Sequence, residues 1–368
     1  GGGRRLLEQD VDEDLWGLDR IDCTSGLDGT FNNFGLKGEG VHVYVLDTGI
    51  RTTHSEFEGR AIPEIDFITR RVCNGDPGSD CARDVNGHGT HCAGTVAGKT
   101  YGVAKKAIVH AVKVLGDGGT GSTAGIIQAI DYVASAGQRP AILSMSLGCR
   151  RPCRSPTQAR VIRAATRANV TVIVAAGNNG ETDMPDACDY SPASSPDALT
   201  VASITRPSGL RMSDERSGFS NVGVCVDLFA PGSNILSAGP SNDAATRTLS
   251  GTSFACPHVS GAAALVLGQA PNLSVAEVRA IIVNGSLEGS VRDPQGSPNK
   301  LLFIGSIHGI PHDCEVSQIG TKLLVIAAVA GASVVLCLAA CGASWCWERR
   351  CRAGGPAKGG AGAPGEVA

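Results

Sequence analysis

The sequence predicts an α/β fold in which helices flank a doubly wound, mainly parallel sheet. Four short runs of β-branched or other apolar residues have the length and composition of buried strands. They cover residues 41–46, 108–114, 141–145 and 170–174. The segments between the runs are long enough to hold helices, and 49 glycines among 368 residues suit the many tight turns of such a sheet.

Helical patterns occupy several segments between and after these strands. In residues 123–136 and 156–168, apolar side chains recur at the helical period. A third helix is expected from His88 to residue 96, and a long helix of small residues is expected to begin at Ser253 and to end at residue 269. Ligands of open α/β sheets bind beyond the carboxyl ends of the strands, so polar residues at those ends are candidates for a functional site.

Asp47, His88 and Ser253 form a candidate catalytic set. Asp47 ends the first predicted strand and precedes Thr-Gly, His88 lies in the run NGHGTH, and Ser253 lies in SGTSFACPH. A serine hydroxyl is a weak nucleophile near neutral pH, so it needs a neutral imidazole to accept its proton and a carboxylate to orient that imidazole. The order Asp, His, Ser is one of three known for this triad. Asp84 is the competing carboxylate, but it lies in a polar loop rather than at the end of a buried strand.

These three segments resemble the signature segments of the subtilisin-like serine endopeptidases, and other segments resemble the proteinase K branch of that family. The other segments are residues 16–21, 144–148, 175–179, 190–194 and 227–232. The resemblance covers about residues 14–305. It implies a subtilisin-like fold and the hydrolysis of peptide bonds through an acyl-enzyme intermediate. It also implies that His88, rather than another histidine of the chain, is the base.

The resemblance implies further roles around this triad. Asn178 matches a position that donates a side-chain N–H to the oxyanion, and the backbone N–H of Ser253 would be the second donor. An extended peptide would lie between two edges, next to a pocket wall. These are formed by Gly119 and Gly121, by Ser146, Leu147 and Gly148, and by Ala175, Ala176 and Gly177. The small wall residues predict a pocket for a bulky apolar or aromatic side chain. Residues 149–153 depart from the glycine-rich stretch of the family and leave the specificity open.

The resemblance also implies a structural calcium ion and no catalytic metal. Asp227 and the carbonyl oxygens of Pro196 and Ala198 match a calcium site of proteinase K-like enzymes. Oxygen ligands suit this hard cation. We therefore expect calcium to bind there and to stabilise the folded chain.

Ten of the 14 cysteines precede residue 323, and this number indicates an oxidising compartment. Cys188 with Cys225 resembles a disulfide of secreted relatives, and Cys73 with Cys81 and Cys149 with Cys153 would close short loops. The other four are two expected packed thiols, Cys92 and Cys256, and two cysteines without an assigned partner, Cys23 and Cys314.

Residues 323–346 carry no charged side chain and are long enough to cross a hydrocarbon core of about 30 Å. We expect a membrane-spanning helix there, the alternative being a buried core helix. Lys322 precedes the run, and Arg349, Arg350 and Arg352 follow it, which predicts a cytoplasmic C-terminus. The catalytic domain would then be extracellular or lumenal. Three potential glycosylation sites agree with that location, and they are Asn169, Asn272 and Asn284.

The expected domains are a leader or end of a pro-region in residues 1–14, a peptidase domain in 15–305, a juxtamembrane stalk in 306–322, the membrane helix in 323–346 and a disordered cytoplasmic tail in 347–368. Residue 1 is Gly and no signal-like run precedes the peptidase domain, so signal and pro-segments are expected upstream. The net charge of -3, with scattered basic residues, argues against a nucleic-acid partner.

The main hypothesis is a membrane-anchored serine endopeptidase. It would act on proteins or peptides, and its pro-segment would inhibit it. One alternative is a self-processed domain that stays inhibited by the pro-segment and acts as a binding protein. Another is a structural glycoprotein with a decayed protease fold, which would have a broken catalytic motif. None of the three motifs is broken in the sequence.

Overall fold

The protein is described by a computed structural model that covers residues 8–11, 13–207 and 213–308. The strands are β1 Glu8–Asp10, β2 Thr30–Asn32, β3 His42–Asp47, β4 Ala61–Asp66, β5 Arg71–Val72, β6 Ile108–Lys113, β7 Ala141–Met145, β8 Val170–Ala175, β9 Leu199–Ile204, β10 Asp214–Glu215, β11 Leu228–Pro231, β12 Ile235–Ala238, β13 Thr246–Leu249, β14 Leu287–Glu288, β15 Val291–Arg292 and β16 Lys300–Leu301. The α-helices are α1 Trp16–Asp22, α2 His88–Ala97, α3 Thr123–Ala136, α4 Pro156–Arg167, α5 Thr252–Gln269 and α6 Val275–Asn284.

Ten strands form one sheet in the order β14, β16, β11, β9, β8, β7, β3, β6, β4, β5. Every pairing in it is parallel except those of the two edge strands, β14 and β5. β3 lies between β6 and β7, which follow it in the chain on opposite sides. This reversal of strand order opens a crevice at the carboxyl ends of the strands, where ligands bind in sheets of this kind.

The central strands are buried on both faces, which explains their continuous apolar sequences. Val43 and Val45 of β3 belong to a hydrophobic cluster that includes residues of α2 and α5. Tyr44 and Leu46 point the other way, into a second cluster with residues of α3 and α4. Because successive side chains of a strand alternate between faces, one run of residues supplies both cores.

The α/β prediction is confirmed. The four predicted strands are β3, β6, β7 and β8, and the four predicted helices are α2, α3, α4 and α5. β4, β9 and β11 of the same sheet were not predicted. Pro63 lies inside β4 beside a shift of register, and Pro231 ends β11, so both strands carry a residue that ordinarily argues against a central strand.

Part of the predicted leader pairs with the peptidase domain, since β1 forms an antiparallel pair with β2. The three predicted disulfides are present, Cys73–Cys81, Cys149–Cys153 and Cys188–Cys225. Cys92 and Cys256 are buried free thiols, as expected. Cys23 is also disulfide-bonded. Cys314 lies outside the described residues.

Within the described ranges, none of the helices combines the length and apolarity that crossing a bilayer requires. The predicted membrane helix in residues 323–346 and the predicted tail in 347–368 lie outside the described residues. The predicted stalk in 306–322 is described only as far as residue 308.

Candidate active site

Asp47 is the last residue of β3, and its side chain is completely buried. Its Oδ1 accepts hydrogen bonds from the backbone N–H of Thr48 at 2.7 Å and from His88 Nδ1 at 2.7 Å. Oδ2 lies 2.9 Å from the same imidazole nitrogen. Gly89 makes this approach possible, because a Cβ there would lie 2.1 Å from the Gly49 carbonyl oxygen and 3.1 Å from the Asp47 Cβ. The carboxylate therefore holds His88 at the centre of the crevice.

His88 is the first residue of α2 and keeps 19% of its side chain exposed. Its ring packs against Phe254 of α5 with a centroid separation of 5.2 Å. Burial alone would lower the pKa of His88, but the adjacent Asp47 carboxylate raises it well above the usual value of 6.5. The negative charge thus favours the imidazolium form, while the Nδ1–H bond to Asp47 leaves Nε2 as the acceptor whenever the ring is neutral.

Asp84, the competing carboxylate in the sequence, has a different role from Asp47. Its Oδ1 accepts from Thr48 Oγ1 at 2.9 Å and from the Gly87 N–H at 2.8 Å. Its Oδ2 accepts from the N–H and the hydroxyl of Thr90, at 2.8 and 2.7 Å. Asp84 is therefore a positioning residue that ties the start of α2 to the end of β3. The sequence offered no signal for this role, because the four bonds depend on how the loop of Asp84 meets Thr48 and the first turn of α2.

Ser253 is the second residue of α5 and is 9% exposed. Its hydroxyl donates to the Ser146 carbonyl oxygen at 3.2 Å, and its own carbonyl oxygen accepts from Ser146 Oγ at 2.7 Å. The Cys92 thiol donates to the same carbonyl at 3.4 Å and lies 3.9 Å from His88 Nδ1. Cys92 therefore contacts both residues, and the start of α5 lies beside His88. In the described structure Ser253 Oγ bonds to Ser146 and not to His88.

Asn178 follows β8 and contacts the start of α5. Its Oδ1 accepts from the N–H and the hydroxyl of Thr252, both at 2.9 Å. Because Thr252 occupies the oxygen, the Nδ2 group is left to donate elsewhere, next to the first N–H groups of α5. Asn221 supports this turn, since it donates to the Ala176 carbonyl at 3.0 Å and accepts from the Asn179 N–H at 2.7 Å.

Gly177 explains why the turn before Asn178 takes this shape. Its φ of 105° is in the left-handed region, and a Cβ there would lie 2.4 Å from Asn221 Nδ2. Asn221 was missed by the sequence analysis, because its partners lie more than 40 residues away in the chain.

The predicted substrate-binding residues lie at the carboxyl ends of three parallel strands of the sheet, β6, β7 and β8. Gly119 and Gly121 follow β6; Ser146, Leu147 and Gly148 follow β7; Ala175, Ala176 and Gly177 end or follow β8. Leu147, Ala175 and Ala176 are buried, and Gly148 is exposed. Of these eight residues, all of which the structure describes, Ser146 is the one that contacts Ser253 through hydrogen bonds. Because these segments end or follow parallel strands of the sheet, they lie at the same edge as Asp47, the last residue of β3.

Two of the three predicted calcium ligands, Ala198 and Asp227, bind a cationic side chain of the chain itself, and the third, Pro196, lines the same cavity as that side chain. Arg279 Nη1 donates to the Ala198 carbonyl oxygen at 2.7 Å, and Arg279 Nη2 binds Asp227 Oδ1. Asp227 Oδ2 accepts from the Thr200 N–H at 2.8 Å. Burial raises the pKa of Asp227, although the guanidinium opposes that shift. The oxygen atoms suit calcium chemically, but a calcium ion would compete with Arg279 for two of them. Arg279 was not singled out in the sequence.

A carboxylate-oriented imidazole beside a serine at a helix start, at the carboxyl edge of a parallel sheet, is the kind of site that serine hydrolases use. The chain belongs to the subtilase family, whose family model, described as "Subtilase family", matches residues 38–303.

Individual relatives agree with that assignment. The chain is 43% identical over 302 residues to "Alkaline serine exoprotease A" of Vibrio alginolyticus, covering 82% of this chain and 52% of that protein. It is 44% identical over 290 residues to "Extracellular serine proteinase" of Thermus sp. (strain Rt41A), covering 78% and 65%. A crystal structure of a cold adapted subtilisin-like serine proteinase is similar with a TM-score of 0.71 and 40% identity, over 80% of this chain and 98% of that one. The chain thus spans 52% and 65% of the length of these two curated relatives.

The Asp47–His88 pair predicts how activity changes with pH. A base must be neutral to accept a proton, so kcat/KM of peptide hydrolysis should rise with pH through the pKa of His88, which lies above 6.5. Asp47→Asn removes the negative charge, so it should move the acidic limb of the profile to lower pH and reduce the plateau by about 10⁴. Asp131→Asn, on the exposed face of α3, is the matched control and should leave the profile unchanged. An acidic limb of the kcat/KM profile that stays at the same pH in Asp47→Asn would contradict the pairing of Asp47 with His88.

Proposed function

We propose that this chain is a serine endopeptidase in which Ser253 is the nucleophile, His88 the general base and Asp47 the orienting carboxylate. The observation that carries the proposal is the buried bond of 2.7 Å between Asp47 and His88 Nδ1, on the same crevice edge as Ser253. The membership in the subtilase family and the names of the relatives support the reaction class.

The first chemical step follows from the tautomer that Asp47 selects. With its proton on Nδ1, His88 can accept the Ser253 hydroxyl proton at Nε2 while Ser253 Oγ attacks the scissile carbonyl carbon. The hydroxyl first has to turn from the Ser146 carbonyl toward the imidazole, a rotation about one side-chain bond. His88 then gives that proton to the leaving amine, and the acyl-enzyme remains. A water molecule, deprotonated by the same base, releases the acid and regenerates the serine.

The oxyanion would be stabilised by two donors of this chain, the backbone N–H of Ser253 and Asn178 Nδ2. Because both hydrogen bonds from Thr252 reach Asn178 Oδ1, the orientation of the side-chain amide is set before substrate binds. Preorganised donors of this kind need no rearrangement when charge develops in the transition state.

We propose that an extended peptide binds along the loops after β6 and β7. A strand-like peptide gains main-chain hydrogen bonds at such edges and is read through pockets for its side chains. Small residues at Ala175, Ala176 and Gly177 support a pocket for a bulky apolar side chain. A pro-segment that binds the same cleft would inhibit the enzyme, and this part of the proposal rests on the family resemblance.

Two substitutions test the catalytic assignment with a peptide substrate. Ser253→Ala should abolish hydrolysis with the fold intact, because it removes only a hydroxyl at a helix start. Asn178→Ala should lower kcat by about 10² to 10³ and change KM little, because its bond strengthens only in the transition state. Cys256→Ala, whose thiol is buried three residues beyond Ser253, should keep its turnover. Normal hydrolysis by Ser253→Ala would exclude this mechanism.

We propose that the catalytic domain is extracellular or lumenal and is tethered by residues 323–346. The uncharged run, the arginines that follow it, and three disulfides in the catalytic domain support this topology. In sealed vesicles, external protease should then digest the tail and spare the catalytic domain. The reverse pattern would contradict the proposed orientation. Extraction of the protein from membranes by carbonate would contradict the proposed membrane anchor.

We propose that calcium binds Asp227, Pro196 and Ala198 by displacing Arg279. Saturating calcium should raise the melting temperature, because a ligand at 100 times its Kd stabilises the folded state by about 2.7 kcal/mol. Arg279→Gln removes the competing guanidinium, so this variant should melt earlier in EGTA and respond to lower calcium concentrations than the wild type. A melting temperature indifferent to calcium in the wild type would contradict the proposal, and a response confined to Arg279→Gln would identify Arg279 as the resident cation.

A further inference from the structure

Residues 149–154 form a short basic loop that continues the proposed substrate edge after β7. Ser146, at the start of that edge, binds the main chain of Ser253 at 2.7 Å, and the loop begins three residues further on. The disulfide between Cys149 and Cys153 closes it. The loop therefore lies in direct continuation of a segment that contacts the proposed nucleophile.

The backbone of this basic loop is held at both ends and in the middle. The Cys149 N–H donates to the Ser191 carbonyl oxygen at 3.2 Å, and the Cys153 carbonyl accepts from the Ser191 N–H at 2.9 Å. Asn179 Nδ2 donates to the Arg150 carbonyl at 3.4 Å. With the disulfide, these contacts restrain the loop, so side chains on it can bind a partner without ordering the backbone first.

The contact with Asn179 also places the basic loop beside the reaction centre. Asn179 directly follows Asn178, the proposed oxyanion donor, which binds Thr252 at the start of α5. One hydrogen bond and one peptide link therefore separate the Arg150 backbone from Asn178. The backbone of the basic loop therefore lies close to the turn that carries Asn178.

The loop carries positive charge that nearby carboxylates leave uncompensated. Arg154 pairs with Asp189 at 2.9 Å. Arg150 and Arg151 are exposed, and among the described residues neither guanidinium has a carboxylate within ion-pair distance or a side-chain hydrogen bond. Glu181, in the turn that contains Asn179, instead lies against Gly218. The guanidinium groups of Arg150 and Arg151 are thus available to bind a carboxylate of another molecule.

We infer that Arg150 and Arg151 form a subsite for an acidic side chain, Asp or Glu, of the peptide substrate next to its scissile bond. This inference rests on the proposed function, because it uses the same crevice. It does not concern the apolar pocket beside Ala175 and Ala176, which takes a different side chain of the same peptide. The substrate class is therefore a peptide with a bulky apolar residue at the pocket and an acidic residue at the basic loop.

The exposure of the two arginines determines how strongly the enzyme should prefer an acidic peptide and which kinetic constant should show the preference. A single exposed ion pair changes an equilibrium by about 1.4- to 5-fold, so the acidic peptide should be favoured about two- to fivefold over its amide counterpart. The contact is equally present in the ground and transition states, so the preference should be expressed in KM. Salt of about 1 M, where the Debye length is about 3 Å, should remove it.

The experiment compares two sets of peptides that are identical except for Glu or Gln, placed in turn at each position near the cleavage site. The wild type is compared with Arg150→Glu/Arg151→Glu and with the milder Arg150→Gln/Arg151→Gln. Arg160 is an exposed arginine of α4, and Arg160→Glu changes the net charge as much as Arg150→Gln/Arg151→Gln does, so it is the control for total charge. At one or more positions the wild type and Arg160→Glu should favour Glu. Arg150→Gln/Arg151→Gln should lose the preference, and the charge reversal should favour Gln.

Binding of the same peptides to Ser253→Ala, measured by fluorescence anisotropy, separates this inference from the proposed function. If the wild type cleaves neither set but Ser253→Ala binds Glu peptides more tightly through Arg150 and Arg151, the proposed hydrolysis fails and the subsite stands. Equal affinity for Glu and Gln peptides at every position, or a preference that survives Arg150→Gln/Arg151→Gln, overturns the subsite whatever the activity.

Discussion

The bond between Asp47 and His88 is the constraint on which the rest of the site depends. A carboxylate with no solvent exposure is costly to bury unless it is paired, and here the imidazole and the Thr48 N–H satisfy it. Its position is set by β3, which lies between its two parallel neighbours at the reversal of strand order. The same bond determines which nitrogen of the histidine can accept a proton and raises the pKa of the ring.

The surrounding structure keeps the imidazole and the serine in one pocket. Asp84 ties the start of α2 to the end of β3 with four hydrogen bonds, so the backbone that carries His88 is held against the strand that carries Asp47. Ser253 is carried by α5, whose residues 252–267 are all buried against the sheet and α2. Cys92 and Phe254 contact both sides of this pocket. A rigid support of this kind matters because catalytic groups work only within a narrow range of distances.

Local sequence patterns predicted the parts of the molecule whose structure is decided locally. The helical period predicted α3 with its exact bounds, and continuous apolar runs predicted the four strands around Asp47. The strands β4 and β11 were not predicted, because each contains a proline and because strands distant in the chain decide their place in the sheet. The roles of Asp84, Asn221 and Arg279 were not predicted either, because each role consists of contacts that form only in the folded chain. Arg279 in particular puts a guanidinium where the family resemblance implied calcium.

Labelling with a fluorophosphonate shows whether the Asp47–His88 pair activates Ser253, because the reagent reacts only with a serine that is both activated and accessible. We expect labelling of the wild type at Ser253, much slower labelling of Asp47→Asn and His88→Ala, and no labelling of Ser253→Ala. A wild type that stays unlabelled would contradict this activation and favour a domain whose cleft is closed by its own pro-segment. Labelling at Ser253 that does not depend on His88 would show that the Asp47–His88 bond does not activate the serine.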